Sequence, residues 1–413
     1  MAASRLIELS RAAVIVALVG LLYSPTVASI GLVVAYVAFV VSGEAPTRMQ
    51  RILRAPPVYW GLAFLGMVIL GVAYSSVPWQ ERWTDVLKWR TVLWFIVLFA
   101  LFDDERWKTR LLFVFLIGAG VGLLVSFAGA VGGITLWRDP RELLRNHATQ
   151  SMSFAVAALI CLWMVLLGRC KGRQRWVVIG AAGLFVGNVF FVTHSPSGYA
   201  VFVLGTIVLV LRCASPKHMI AAAVVLPVSV GVILLLSPGM QKRLAQVQYE
   251  WEHAEESTKL TSMGIRKVFY THTIAAAARH PLFGVGTGGF KNAYGEQIVG
   301  KYDPSDWRSE VATDPHNQYL AIAVPHGLVG LAIFLAWIAA LVGAQHGLPA
   351  YRGLALAILC GLCATSLFSS HFRTFSEGHL ITTFLGALLA KESRGIGGRV
   401  SSPDSADVQG GAS

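Results

Sequence analysis

Apolar residues along this chain fall in long blocks, parted by short clusters of basic residues, and show no alternation of apolar and polar positions. About twelve blocks can be drawn, near 9–24, 26–43, 56–75, 89–102, 110–130, 149–168, 176–193, 199–212, 218–237, 319–344, 353–370 and 379–391. A stretch of about 20 apolar residues crosses the ~30 Å hydrocarbon layer as one helix. A helix satisfies its own backbone groups in lipid, so repeated uncharged blocks predict an all-α polytopic membrane protein with about twelve transmembrane helices. The first block leads straight into the second, and no cleavable signal peptide is expected.

One stretch breaks the pattern. Segment 238–317 is polar and too long for a plain connector. It divides the chain into spans one to nine (1–237), a helical loop domain (238–317), spans ten to twelve (318–391) and a tail (392–413) rich in Gly and Ser, whose composition predicts disorder. Within the loop domain, Met240 to Glu256 and Leu260 to Arg279 read as helices, the second opening at Ser262 as a cap. A Gly-rich turn follows over Pro281 to Phe290, then a short helix over Asn292 to Val299 and an irregular stretch from Asp303 to Pro315.

Basic residues orient the bundle. Arg48, Arg51 and Arg54 follow span two, Arg106, Lys108 and Arg110 follow span four, and Arg169, Lys171, Arg173 and Arg175 follow span six. All three clusters fall on one side of an even-numbered bundle, and the positive-inside rule makes that side cytoplasmic. Segment 238–317 then faces outward. Composition agrees with a membrane protein: 55% apolar and 14% charged residues, where soluble domains carry about 25% charged. The net charge of +12 is scattered between spans, so it reads as topology and not as a nucleic-acid surface. The five cysteines lie in or beside apolar blocks and read as small buried hydrophobes; the Cys360/Cys363 spacing lacks a second ligand pair.

The outer loops keep more cations than the rule predicts. Arg138, Arg141 and Arg145 follow span five, and Arg82, Lys88 and Arg90 follow span three. Arg266, Lys267, Arg279 and Arg308 lie in the long segment. Cations held there suit an anionic ligand, with lipid headgroups as the plainer reading. Where the segment re-enters the membrane stands Pro315-His316-Asn317-Gln318. An interfacial histidine can stay neutral near pH 7 and accept a proton, which makes His316 a candidate general base. His326 reads as an interfacial residue; His371, Arg373 and His379, in the last outer loop, stand either near the site or at the headgroups, the latter preferred. Glu252-His253-Ala254-Glu255 lacks metal-ligand spacing, and Gly284-x-Gly286-x-x-Gly289 lacks the strand–helix unit of a dinucleotide site.

After His316-Asn317 come nine residues, then Gly327, two residues and Gly330. This resembles the His-[Asn/Ser/Gln]-x9-Gly-x-x-Gly pattern of the O-antigen ligase family. Arg279-His280-Pro281-Leu282-Phe283-Gly284-Val285-Gly286 resembles the turn that precedes that histidine in the family, and Ser262-x-x-x-Arg266-x-x-x-Tyr270 resembles its Ser-Arg-aromatic segment. One position departs. The family often has Ser-Arg at the outer end of span seven, and here His194-Ser195-Pro196-Ser197 puts proline where that arginine would stand.

The resemblance implies transfer of a glycan from undecaprenyl diphosphate to a sugar hydroxyl of lipid A–core, metal-independent and inverting, with no cofactor. His316 would be the base and Arg266 the main cation on the leaving diphosphate. Arg145, Arg141, Arg138 and Arg279, with Tyr270 and Asn317, would complete the diphosphate site. An O-antigen polymerase or a protein O-oligosaccharyltransferase shares this architecture. A transporter or flippase would keep ionisable groups at mid-membrane, and the spans here are nearly free of them.

Overall fold

The computed structural model describes residues 2–132, 146–193, 195–216, 219, 231, 238–252, 261–344 and 349–391. Among them the ordered elements are all helical. The helices are α1 (Ala2–Tyr23), α2 (Pro25–Val41), α3 (Ala45–Ile52), α4 (Pro56–Tyr74), α5 (Trp79–Lys88), α6 (Arg90–Leu101), α7 (Glu105–Gly132), α8 (His147–Leu166), α9 (Gly172–Asn188, continued by a π-helical turn, Val189–Thr193) and α10 (Pro196–Cys213). Then follow α11 (Pro238–Glu252), α12 (Ser262–Arg279), α13 (Phe290–Ile298), α14 (Leu320–Gly343), α15 (Pro349–Thr365) and α16 (Phe375–Leu389). Span nine, 218–237, and the tail 392–413 lie outside the described residues but for single positions.

Seven of these helices are long and apolar enough to cross a membrane: α1, α4, α7, α8, α9 with its π turn, α10 and α14. An eighth span arises if α2 and α3, bent by 97° at their break, are taken as one. The expected spans at α6, α15 and α16 hold only 12, 17 and 15 residues. Each is shorter than the ~20 residues a crossing helix needs. They pack inside the bundle, α16 against α6 and α15 against α10, while α14 packs on α4 and α1 on α2. Small residues permit this closeness, since a Cβ on Gly361 would fall 2.7 Å from Val201 Cα, and one on Gly386 the same distance from Leu98 Cβ.

Two loops of the sequence reading hold helices. Ala45–Ile52 carries Arg48, which pairs with Glu44 at 2.7 Å and Asp103 at 2.8 Å. Trp79–Lys88 is amphipathic, with Trp79, Trp83 and Leu87 exposed four residues apart on one face and Asp85 buried on the other. Four-residue spacing in a stretch this short is easily overlooked beside charged residues.

The described part of the long segment follows the sequence reading closely. Its helices are Pro238–Glu252, Ser262–Arg279 and Phe290–Ile298, and 303–315 is irregular apart from a 3-10 turn, Trp307–Ser309. The cap of α12 is Thr261 and not Ser262: the Thr261 hydroxyl accepts from the Gly264 N–H at 3.1 Å. Ala276, Phe290, Ala293, Tyr294, Ile298 and Ala312 form a small separate core that closes on Val324 of α14.

That closure is made by backbone. Pro325 and Gly327 break α14, with Gly327 at φ 63°, ψ −165°. The carbonyls of Val324 and Pro325 are released and accept from Val285 and Gly286 at 3.0 and 2.9 Å. In return the N–H groups of Leu328 and Val329 donate to Pro281 and Leu282 at 2.7 and 3.1 Å. The 280–286 turn and the Gly327 motif are thus the two halves of one joint. Irregular backbone within an apolar helix of this length is tolerated where protein satisfies it, as the 280–286 turn does here.

Candidate active site

His316 sits between that joint and the end of the irregular stretch. Asp314 opens an Asx turn, its Oδ1 accepting the His316 N–H at 2.8 Å. His316 follows at φ 52°, the one positive φ at a non-glycine among the described residues. Histidine tolerates this region better than bulky or branched residues, but surrounding structure must hold it there. Asn317 then caps α14, its Oδ1 accepting from Tyr319 and Leu320 N–H at 2.9 and 3.0 Å. The Asp-Pro-His-Asn order therefore reverses the chain, presents an imidazole and starts a helix in four residues.

The imidazole is exposed and lies parallel to Phe269, ring centroids 5.9 Å apart. Tyr270, the next residue on α12, has its hydroxyl 2.5 Å from the Leu367 carbonyl and 3.2 Å from the His316 carbonyl. Asn317 Nδ2 donates to the same Leu367 carbonyl at 3.1 Å. Burial pushes the Tyr270 phenol above its ordinary pKa, so it stays a proton donor near neutrality. Arg266 lies one turn earlier on α12, half-buried, with Nη1 3.8 Å from Met263 Sδ and close enough to Tyr270 to act on its phenol. His316, Tyr270, Asn317 and Arg266 are thus brought to one corner.

Arg279 is not. It stands thirteen residues beyond Arg266 on α12, roughly 20 Å along the axis at about 1.5 Å per residue. There it pairs with Glu296 at 3.6 Å and lines a separate cavity of about 290 Å³ with Tyr74, Asn292 and Gln297. Arg138, Arg141 and Arg145 lie outside the described residues. At Ser195-Pro196, proline occupies the first turn of α10, where its missing N–H costs nothing.

The headgroup reading of the last loop is overturned. His371, Arg373 and His379 are 1%, 8% and 2% exposed, and His326 is fully buried. Arg373 forms an ion pair with Asp85 and lies 3.8 Å from Asp314. Ser370 Oγ donates to Asp314 Oδ1 at 2.8 Å. Burial pushes His371 down, against the pull of Glu377 and Asp314. Burial alone would raise the Asp85 carboxyl, but Arg373 and Lys88 outweigh it and hold it below the usual carboxylate range. These partners were not legible in the sequence, because Asp85 and Arg373 are 288 residues apart and neither lies in a motif. Among the described residues, no three His, Cys, Asp or Glu side chains gather as a metal site.

No curated protein matches the chain. The resemblance to O-antigen ligases is borne out over residues 181–335, which match that family's model and include Arg266, Tyr270, the 280–286 turn and His316.

Proposed function

We propose that this chain is an O-antigen ligase, transferring a glycan from undecaprenyl diphosphate to a sugar hydroxyl of lipid A–core on the periplasmic side of the inner membrane. What carries the reading is the exposed His316 imidazole, on a pinned turn, with Arg266 one turn from the tyrosine that touches its carbonyl. His316 takes the proton of the acceptor hydroxyl as that oxygen attacks the anomeric carbon. General-base help of this kind is worth about 10²–10⁴-fold. Charge grows on the departing diphosphate, and Arg266 is the cation assigned to it, a reading supported by its place one turn from Tyr270. A guanidinium stays ionised at working pH and holds phosphate oxygens in pairs. Arg138, Arg141 and Arg145 are the further cations of choice, and attack opposite the leaving group inverts the centre without a metal or cofactor.

Reconstitution with purified lipid-linked glycan and rough lipopolysaccharide tests the reading. The expected product is glycan on lipid A–core, falling about 10²–10⁴-fold with His316→Ala. Elongated lipid-linked glycan would mean a polymerase, and counterflow without transfer would mean a transporter. Wild-type rates with His316→Ala would remove the base.

A further inference from the structure

The loop between α15 and α16 holds an arginine that this chemistry does not use. Arg373 is buried, its guanidinium set between two carboxylates from distant parts of the chain. On one side Asp85 of α5 pairs with it, also accepting from Gly288 N–H at 3.3 Å and facing Lys88 Nζ at 3.2 Å. On the other side Asp314 Oδ2 lies 3.8 Å from Nη1, while Oδ1 takes the His316 N–H and the Ser370 hydroxyl. A continuous row results: Gly288, Asp85, Arg373, Asp314, His316. It fastens α5, the turn after the backbone joint, the 366–374 loop and the His316 turn to one another. The Trp89 ring, 5.9 Å from the guanidinium carbon, backs it.

From this row we propose that Arg373 is a positioning residue, which fixes Asp314 and through it the left-handed backbone that presents His316. The inference rests on His316 acting as the base. A left-handed histidine persists only where its surroundings hold it, and the Asx turn at Asp314 is the local device. The His316 and Ser370 bonds hold only Oδ1, and the carboxylate would pivot about it if Oδ2 had no cation to face. Arg373 prevents this with a rigid planar fork, which spans two acids at a fixed angle; a lysine at the same place would supply charge without the geometry. Burial argues against a direct role on the diphosphate, since the residue is 8% exposed and Nη2 is bonded to Asp85; among the described residues Nε and Nη1 make no hydrogen bond, so the hold on Asp314 is electrostatic. Buried ion pairs contribute little net stability, and their best-attested use is to specify one arrangement.

The test is a double-mutant cycle in the reconstituted transfer assay with the full chain. Arg373→Gln should lower kcat by about 100-fold, the scale of a misplacement near 1 Å, with the KM for lipid-linked glycan unchanged. Arg373→Lys should recover only part of the loss. In the His316→Ala background, Arg373→Gln should produce no further fall. Equal losses with and without His316, or a loss confined to the glycan KM, would overturn the positioning role and mean that Arg373 touches substrate. Full recovery by Arg373→Lys would overturn it as well. Should Arg373→Gln fail to fold, Arg373→Lys carries the same cycle in its place, with a partial loss that should vanish in the His316→Ala background. Wild-type activity of His316→Ala alone would instead sink the base assignment, and this inference with it.

Discussion

Gly327→Ala tests the backbone joint that ties segment 238–317 to α14. At φ 63°, ψ −165° Gly327 occupies a region essentially closed to residues with a Cβ, a strain of about 1–3 kcal/mol. The added carbon would also lie 2.2 Å from the Leu282 carbonyl oxygen, with Leu282 C at 2.3 Å and Phe283 N at 2.5 Å. All three are backbone atoms, so no side chain can swing aside. The joint must open, which strips the Leu328 and Val329 N–H groups of the Pro281 and Leu282 carbonyls. A buried N–H left unpaired costs about 1–3 kcal/mol, so the total is roughly 3–9 kcal/mol. A typical domain holds about 5–15 kcal/mol, which makes this change severe. The assay is built into the bundle. Cys161 and Cys170 are 3% and 7% exposed, so their reaction with a maleimide dye on heating reports unfolding in detergent. Gly327→Ala should label at clearly lower temperature and lose glycan transfer. Gly66→Ala is the control: nothing lies within 4 Å of its Cβ in α4, and Ala favours a helix interior over Gly by about 0.5–1 kcal/mol. If Gly327→Ala labels and transfers like the parent, the joint does not hold the segment.

Two further outcomes follow from the geometry. Tyr270→Phe removes the hydroxyl shared by the Leu367 and His316 carbonyls, and at about 1 kcal/mol for one such bond turnover should fall about fivefold; unchanged turnover would show that the tyrosine only packs. His272, whose Nε2 lies 2.7 Å from the Tyr302 hydroxyl, is pushed below 6.5 by burial, with Lys301 adding to the effect. The folded state therefore prefers it neutral, and the stability it contributes is present above the unfolded pKa of about 6.5 and lost as pH falls from there through the lower folded pKa. Thermal labelling between about pH 8 and pH 5 should show that loss, and His272→Gln should flatten it. An identical pH slope in the variant would place the titrating group elsewhere.

Much of this protein was settled locally. Long apolar blocks predict helices because lipid leaves the backbone no other partner, and helices stand at eleven of the twelve blocks, with 218–237 outside the described residues. The helices of segment 238–317 were legible locally too, from turn and cap residues a few positions apart. Arg266, Tyr270, Asn317 and His316 were singled out through the family resemblance, each at a fixed offset within a motif, and the fold brings them to one corner.

What spacing could not supply was anything joined across the chain. The sequence gives no hint that the 280–286 turn and the Gly327 motif are one joint, because their link is backbone hydrogen bonds between segments some 40 residues apart. It offers no sign that Arg279 leaves the corner where Arg266 stands, which follows from the length of α12. The same holds for Arg373, a lone basic residue in an outer loop by its neighbours, and a buried strut once α5 and the His316 turn close on it. Local chemistry fixes elements within one or two helical turns. Which elements meet is decided by packing of the whole bundle, and only the tertiary structure contains that.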